Sequence, residues 1–199
     1  MASSSPQYGA DAALIVTDVQ NDFADPSGSL YVTGGEDVVR SVNEEIHRAR
    51  EAGALVVYTQ DWHPPSTPHF AKDGGVWPVH CVAGSWGAEF HPDLDAGRGP
   101  VVRKGSHGED GYSGFTMRDP ISGATVPTGL ADKLREAGAD RAIVVGLALD
   151  YCVKETALDA VREGFPVTVL RGATAPVERE SGDGEKAVDE LVSAGVYVV

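Results

Sequence analysis

Two groups of residues in this sequence have types and spacings suited to chemistry. The first is Cys152 with Asp18 and Lys104. Cys152 follows the run RAIVVGLALD and opens the run CVKETALDAVREG, so it stands where a strand turn becomes a helix. The free N–H groups and dipole at a helix start stabilise a thiolate and lower the thiol pKa. Position alone favours a small buried thiol, because cysteine is among the most buried residue types. Its company favours a nucleophile. Asp18 ends one apolar run, and Lys104 lies just beyond another. Read separately, they are a strand cap and a surface charge. Read together beside a thiol, the carboxylate can take the thiol proton and later give it to a leaving amine. The ammonium can stabilise the thiolate and hold the carboxylate's charge.

The second group is Asp61, His63, His69 and His80. Asp61 and His63 are two apart, so an extended segment points both the same way. Imidazole with carboxylate suits zinc, iron or manganese. The spacing is looser than a zinc-finger pattern. Loop histidines, or one packed beneath Trp77, are the competing reading. A bound metal would sit in a distorted, open site with water ligands rather than a closed tetrahedral one.

These residues need a scaffold, and the rest of the chain supplies one. Apolar runs at Ala13–Asp18, Ala54–Asp61, Pro100–Gly105, Arg141–Asp150 and Pro166–Gly172 read as strands. Helical spacing occupies Val38–Gly53, Gly129–Ala139, Cys152–Gly164 and 185–195, before a final VYVV strand. Continuous apolar strands alternating with amphipathic helices predict an α/β fold with a parallel sheet covered on both faces. Such sheets place their sites at the carboxyl ends of the strands, here Asp18, Asp61, Lys104 and 150–152. The stretch from Trp62 to Pro100 is rich in Pro, Gly, His and Trp and has little periodicity. A structureless segment of that length in a compact domain is usually functional. The Gly34-Gly35 pair before a helix reads as a turn.

The 199 residues and 42% hydrophobic content suit one domain, expected over 13–199 after a flexible tail of 1–12. A formal net charge of -14, with no Lys/Arg cluster, argues against nucleic acid and anionic membranes as partners. Cys81 and Cys152 form no CxxC motif, which disfavours a redox thiol enzyme. A chain of this length does not need a disulfide staple. No signal-like start or membrane-length apolar run is present, so the expected location is cytoplasmic.

DVQNDF (Asp18 to Phe23), DWHPPSTPHF (Asp61 to Phe70), WPVHCVAGSWGAEFHP (Trp77 to Pro92), KG with YSGF downstream, and GLALDYCVKETALDAVREG form five ordered blocks. Together they resemble the nicotinamidase/pyrazinamidase branch of the isochorismatase-like cysteine hydrolases, from about Ala13 to the C-terminus. The resemblance implies a Rossmann-like three-layer α/β/α fold with a mainly parallel central sheet. It implies a catalytic triad of Asp18, Lys104 and Cys152. It implies one divalent metal ion (Zn, Fe or Mn) on Asp61, His63 and His80, with His69 a further ligand or an outer-shell group. It implies a cis Leu147–Ala148 peptide that aims the Ala148 amide, with that of Cys152, at an oxyanion. Phe23, Trp77, Tyr112, Leu147 and Tyr151 are the implied substrate-binding residues around a small aromatic amide. The implied activity is hydrolysis of nicotinamide, and of pyrazinamide, as in pyridine-nucleotide salvage, by a chain able to form a homo-oligomer. Tyr151 stands where the branch often has His, and the loop after Lys104 carries His107. These departures bear on pocket shape and leave the triad intact. The alternatives are another small amide as substrate, or a metal-carrying binding protein without catalysis.

Overall fold

The computed structural model describes residues 8–97 and 99–199. Residues 1–7 of the expected tail lie outside the described residues, and Ala12 already belongs to the first strand. The strands are β1 (Ala12–Thr17), β2 (Leu55–Asp61), β3 (Val101–Lys104), β4 (Thr116–Arg118), β5 (Thr125–Pro127), β6 (Arg141–Leu147), β7 (Val167–Ala175) and β8 (Tyr197–Val198). The helices are α1 (Asn21–Ala24), α2 (Gly35–Glu51), α3 (Leu130–Glu136), α4 (Lys154–Arg162) and α5 (Asp183–Ser193).

Every residue of β1 is buried. Such a strand is stable only where both faces of its sheet are covered. The six-stranded sheet runs β3-β2-β1-β6-β7-β8 with all neighbours parallel. On one face, Val38, Val39, Val42, Ile46 and Ala49 of α2 pack with Leu14, Val16, Val56 and Ile143. On the other, Leu130 and Leu134 of α3, Ala157 and Ala160 of α4, and Leu191 of α5 meet Ala13, Ile15, Val57 and Val144. Alternate strand residues thus feed opposite cores, as the period of two dictates. This is the three-layer α/β/α architecture expected. The chain winds outward from β1 in one direction and from β6 in the other. The crevice between these strands is therefore the switch point where such folds bind ligands.

Two elements differ from the sequence reading. Thr116–Pro127 forms a β4–β5 hairpin that apolar patterning did not show, because its strands are three residues long and β5 is exposed. The run Arg141–Asp150 is strand only to Leu147. Its pairing with β7 shifts between Val144 and Gly146. Gly146 has φ 105°, and a Cβ there would lie 2.1 Å from the Thr17 carbonyl oxygen. Glycine alone allows that approach. A cis Leu147–Ala148 peptide follows, and then a π-helical turn over Leu149–Val153. Cys152 therefore sits within that turn, just ahead of α4, and not as the first residue of the α-helix.

Candidate active site

Four strand ends deliver the polar residues. Asp18 follows β1 with φ 47°, a left-handed turn that takes the chain out of the sheet. Asp61 ends β2 and is in register with Lys104, the end of β3. Cys152 comes from the turn after β6. The Asp18 and Asp61 carboxylates and the Cys152 sulfur offer atoms within 4.8 Å of one another.

Lys104 is fully buried at their centre. Its Nζ lies 2.6 Å from Asp18 Oδ2, 2.7 Å from Asp61 Oδ1 and 3.6 Å from Cys152 Sγ, and it donates to the Gly111 carbonyl. That carbonyl can come so close because residue 111 is glycine; a Cβ there would stand 2.5 Å from Asp61 Oδ1. A buried ammonium would ordinarily lose its proton, but two carboxylates hold the Lys104 pKa well above its usual value. Thr59 Oγ1 donates to Asp18 Oδ1 at 2.6 Å. Asp18 Oδ2 is paired with the Lys104 ammonium, in the same cluster as the Cys152 sulfur.

Burial pushes the Asp18 carboxyl up to about 6, against the pull of Lys104. Burial acts on Asp61 too, but Lys104 and the nearby imidazoles outweigh it and hold this carboxyl well below the usual range. The two carboxylates are thereby set apart, one poised as a base near neutrality and one permanently anionic. For Cys152 the helix-start argument predicts a lowered thiol pKa, and the structure reverses it. Burial drives the thiol well above its usual value despite Lys104. Burial thus favours the protonated thiol, and a nucleophilic role for it would call for a base nearby.

The imidazoles gather on the other side of Asp61. His63, His69 and His80 offer nitrogens within 4.8 Å of one another, and all three are buried. Asp61 Oδ2 faces His63 Nε2 at 3.6 Å and His80 Nε2 at 3.8 Å. Ligand atoms bound at about 2.1 Å around one tetrahedral ion stand roughly 3.4 Å apart, close to these separations. His80 Nδ1 faces the Pro78 carbonyl at 2.8 Å, and burial lowers the His80 pKa to about 4, so Nε2 presents a neutral lone pair. Neither nitrogen of His63 has a hydrogen-bond partner among the described residues. A buried imidazole without partners costs about 1–3 kcal/mol, which a metal bond would offset. The donor set and this orphaned ring fit a divalent ion. His69 Nδ1 meets Asp110 Oδ1 at 3.1 Å, a carboxylate–imidazole contact that frees Nε2.

Above these groups lies a pocket that opens to the surface. Phe23, Trp77, Tyr112 and Tyr151 line it, with His69, His80, Ala148 and Cys152. Trp77 Nε1 donates to the Tyr112 hydroxyl at 2.8 Å, and Tyr151 stands edge-on to Trp77 with centroids 4.8 Å apart. Leu147, expected among the substrate-binding residues, is fully buried in the core beside α2, and Ala148 faces the pocket in its place. The sequence reading omitted Leu30 and Val177, which also line the pocket. Val177 follows β7, so the strand-end rule could have found it. Leu30 lies in a loop without periodicity and gave no signal. Thr59 was legible in principle, two residues before Asp61 on the same strand face. Both cysteines are free.

Comparison with known proteins gives a consistent picture. The isochorismatase domain model matches residues 12–199. A nicotinamidase/pyrazinamidase of Mycobacterium tuberculosis is 40% identical over 191 residues, 94% of this chain and 97% of its own length. A zinc complex of the Pyrococcus horikoshii pyrazinamidase superposes with a TM-score of 0.83 at 40% identity, covering 95% of this chain and 98% of the other. A nicotinate complex of PnC1 from L. infantum superposes with a TM-score of 0.88 at 39% identity, covering 98% and 95%.

Proposed function

The chain belongs to the isochorismatase domain family, and we propose that within it this protein is a metal-dependent nicotinamidase, hydrolysing nicotinamide to nicotinate and ammonia and accepting pyrazinamide. One observation carries the reading: a single buried ammonium joins Asp18, Asp61 and Cys152 at the floor of an aromatic pocket, with three imidazoles beside it.

Asp18 takes the Cys152 proton as the sulfur attacks the carboxamide carbon. The backbone N–H groups of Ala148 and Cys152 are the donors assigned to the resulting oxyanion; one such donor is typically worth ~3 kcal/mol. Asp18 returns the proton to the departing ammonia, leaving a thioester on Cys152. The same carboxylate then deprotonates a water that displaces the acid, and the thiol is restored. Lys104 keeps Asp18 ionised between turnovers and offsets the negative charge that passes from carboxylate to sulfur. Asp61, His63 and His80, with His69 beside them, are the residues that would hold the metal. A divalent ion there supplies positive charge that fixes the substrate's ring nitrogen or a water next to it. Phe23, Trp77, Tyr112 and Tyr151 exclude water and align the ring.

The donor chemistry and the zinc-bound relative favour zinc. Among the described residues no helix is long and apolar enough to cross a membrane, and the free thiols suit a reducing, cytoplasmic setting. Ammonia release from nicotinamide, with nicotinate identified by mass and a covalent adduct on Cys152 trapped in acid, tests the proposal. Nicotinamide left intact while an aliphatic amide is hydrolysed would replace the substrate and keep the mechanism.

A further inference from the structure

Asp61 occupies an awkward place in the sheet. In the parallel ladder, residues of β2 that face β1 send both their N–H and C=O to that side. The β1–β2 register pairs Val16 with Tyr58 and, if continued, would oppose Asp61 with residue 19. No strand is there, because Asp18 turns the chain away with φ 47°. The side chain of Gln20 fills the gap. Its Nε2 donates to the Asp61 carbonyl at 2.8 Å, and its Oε1 accepts from the Asp61 N–H at 2.8 Å. The second Nε2 proton goes to the Ala88 carbonyl at 2.9 Å, which Gln60 Nε2 also reaches at 2.8 Å. Gln20 is fully buried and each hydrogen of its amide is used. The carboxamide therefore imitates one residue of a missing strand and ties Asp61 to the 86–88 turn.

Asp61 is the residue for which small displacements matter most. Its Oδ1 serves Lys104 and its Oδ2 faces His63 and His80. Lys104 fixes one oxygen only, so the direction of the other depends on where the backbone is held. We infer that Gln20 is a positioning residue: its side-chain amide clasps the Asp61 backbone so that one carboxylate is divided correctly between the lysine and the metal-binding imidazoles. The inference rests on the metal reading above and adds a residue that touches neither substrate nor metal.

The test is zinc affinity of the full chain, measured by competition with a chromogenic chelator, for wild type, Gln20→Met, Gln20→Glu and a control, Val42→Ala, whose side chain packs from α2 onto the sheet. Gln20→Met removes all three bonds at similar volume; Gln20→Glu keeps the acceptor and loses at least one of the two donors. Outer-shell losses typically weaken metal binding about 10- to 100-fold. Both Gln20 variants should show that loss, with kcat lowered at saturating zinc and KM for nicotinamide changed less. Val42→Ala should lower the thermal midpoint and leave zinc affinity unchanged, which separates positioning from general stability. If Gln20→Met does not fold, Gln20→Glu decides. Wild-type affinity in a folded Gln20 variant overturns the inference while leaving the metal site standing. A wild-type chain with no tight zinc site overturns both.

Discussion

The Lys104 ammonium stands 3.6 Å from the Cys152 sulfur while lying within 2.7 Å of a carboxylate oxygen on each side, from Asp18 and from Asp61. One cation thus links the proposed nucleophile, its proposed base and the carboxylate that faces the imidazoles. The site is a connected charge network, and changes at one member should be felt by the others.

The two cysteines should separate cleanly. Cys152 lines the pocket, whereas Cys81 is packed in the core, and Asp22 Oδ2 accepts from its backbone N–H rather than engaging its sulfur. Cys152→Ala is expected to abolish ammonia release with an unchanged circular dichroism spectrum. Cys81→Ala is expected to keep most activity, with a modest fall in thermal midpoint from the lost sulfur packing. Equal loss of activity in both would remove Cys152 from the nucleophile's role.

The pH profile follows from Asp18. Its carboxyl is pushed up to about 6, chiefly by burial, and only the ionised form can accept the thiol proton. Activity is therefore present above that value and lost as pH falls through it. A plot of log kcat/KM for nicotinamide should descend with unit slope below about pH 6. A bound divalent cation nearby favours the carboxylate and moves this limb lower. An acid limb that stays in place when Asp18 is replaced by Asn would show that Asp18 is not the base.

His69 is the member of the imidazole group held by a carboxylate outside it, that of Asp110. The 3.1 Å contact fixes which His69 nitrogen carries the proton. Asp110→Asn should weaken zinc binding about 10-fold or more, as outer-shell substitutions do. His69→Ala should weaken it further if Nε2 bonds the ion. His107→Ala, on the loop that carries Asp110 but exposed, serves as the control. Calorimetric titration of zinc into stripped protein would read all three. Unchanged affinity on losing His69 would leave that ring as pocket wall alone.

Much of this was legible because strand ends carry the chemistry. Buried runs ending in Asp18, Asp61 and Lys104 mark both the sheet and its carboxyl edge, and five motif blocks supplied the roles that their resemblance implies. What was hidden depends on backbone geometry rather than residue type. The π-helical turn around Cys152 and the bulge at Gly146 leave no periodic trace. The thiol's raised pKa follows from burial, which sequence position does not report. Gln20 reads as an ordinary polar residue until the left-handed turn at Asp18 shows which strand position its amide replaces. Leu147, the last residue of β6, packs into the core, and which face a strand's final residue takes is not written in its type.

Asp18 and Lys104 should behave as one unit. Asp18→Asn keeps the shape but can neither take the thiol proton nor return it to ammonia, so kcat should fall on the order of 10²-fold or more. Lys104→Ala removes the charge that keeps Asp18 ionised and leaves two carboxylates facing each other, so it too should cost heavily. Once either is gone, the other has little left to do. The double variant should therefore lose far less than the product of the single losses. The measurement is a double-mutant cycle on kcat for nicotinamide at saturating zinc, with circular dichroism to establish that each variant folds. Multiplicative losses would mean that the two residues act independently. An Asp18→Asn enzyme with near wild-type kcat and a raised KM would make Asp18 a binding residue, and the proton path from Cys152 would have to run elsewhere.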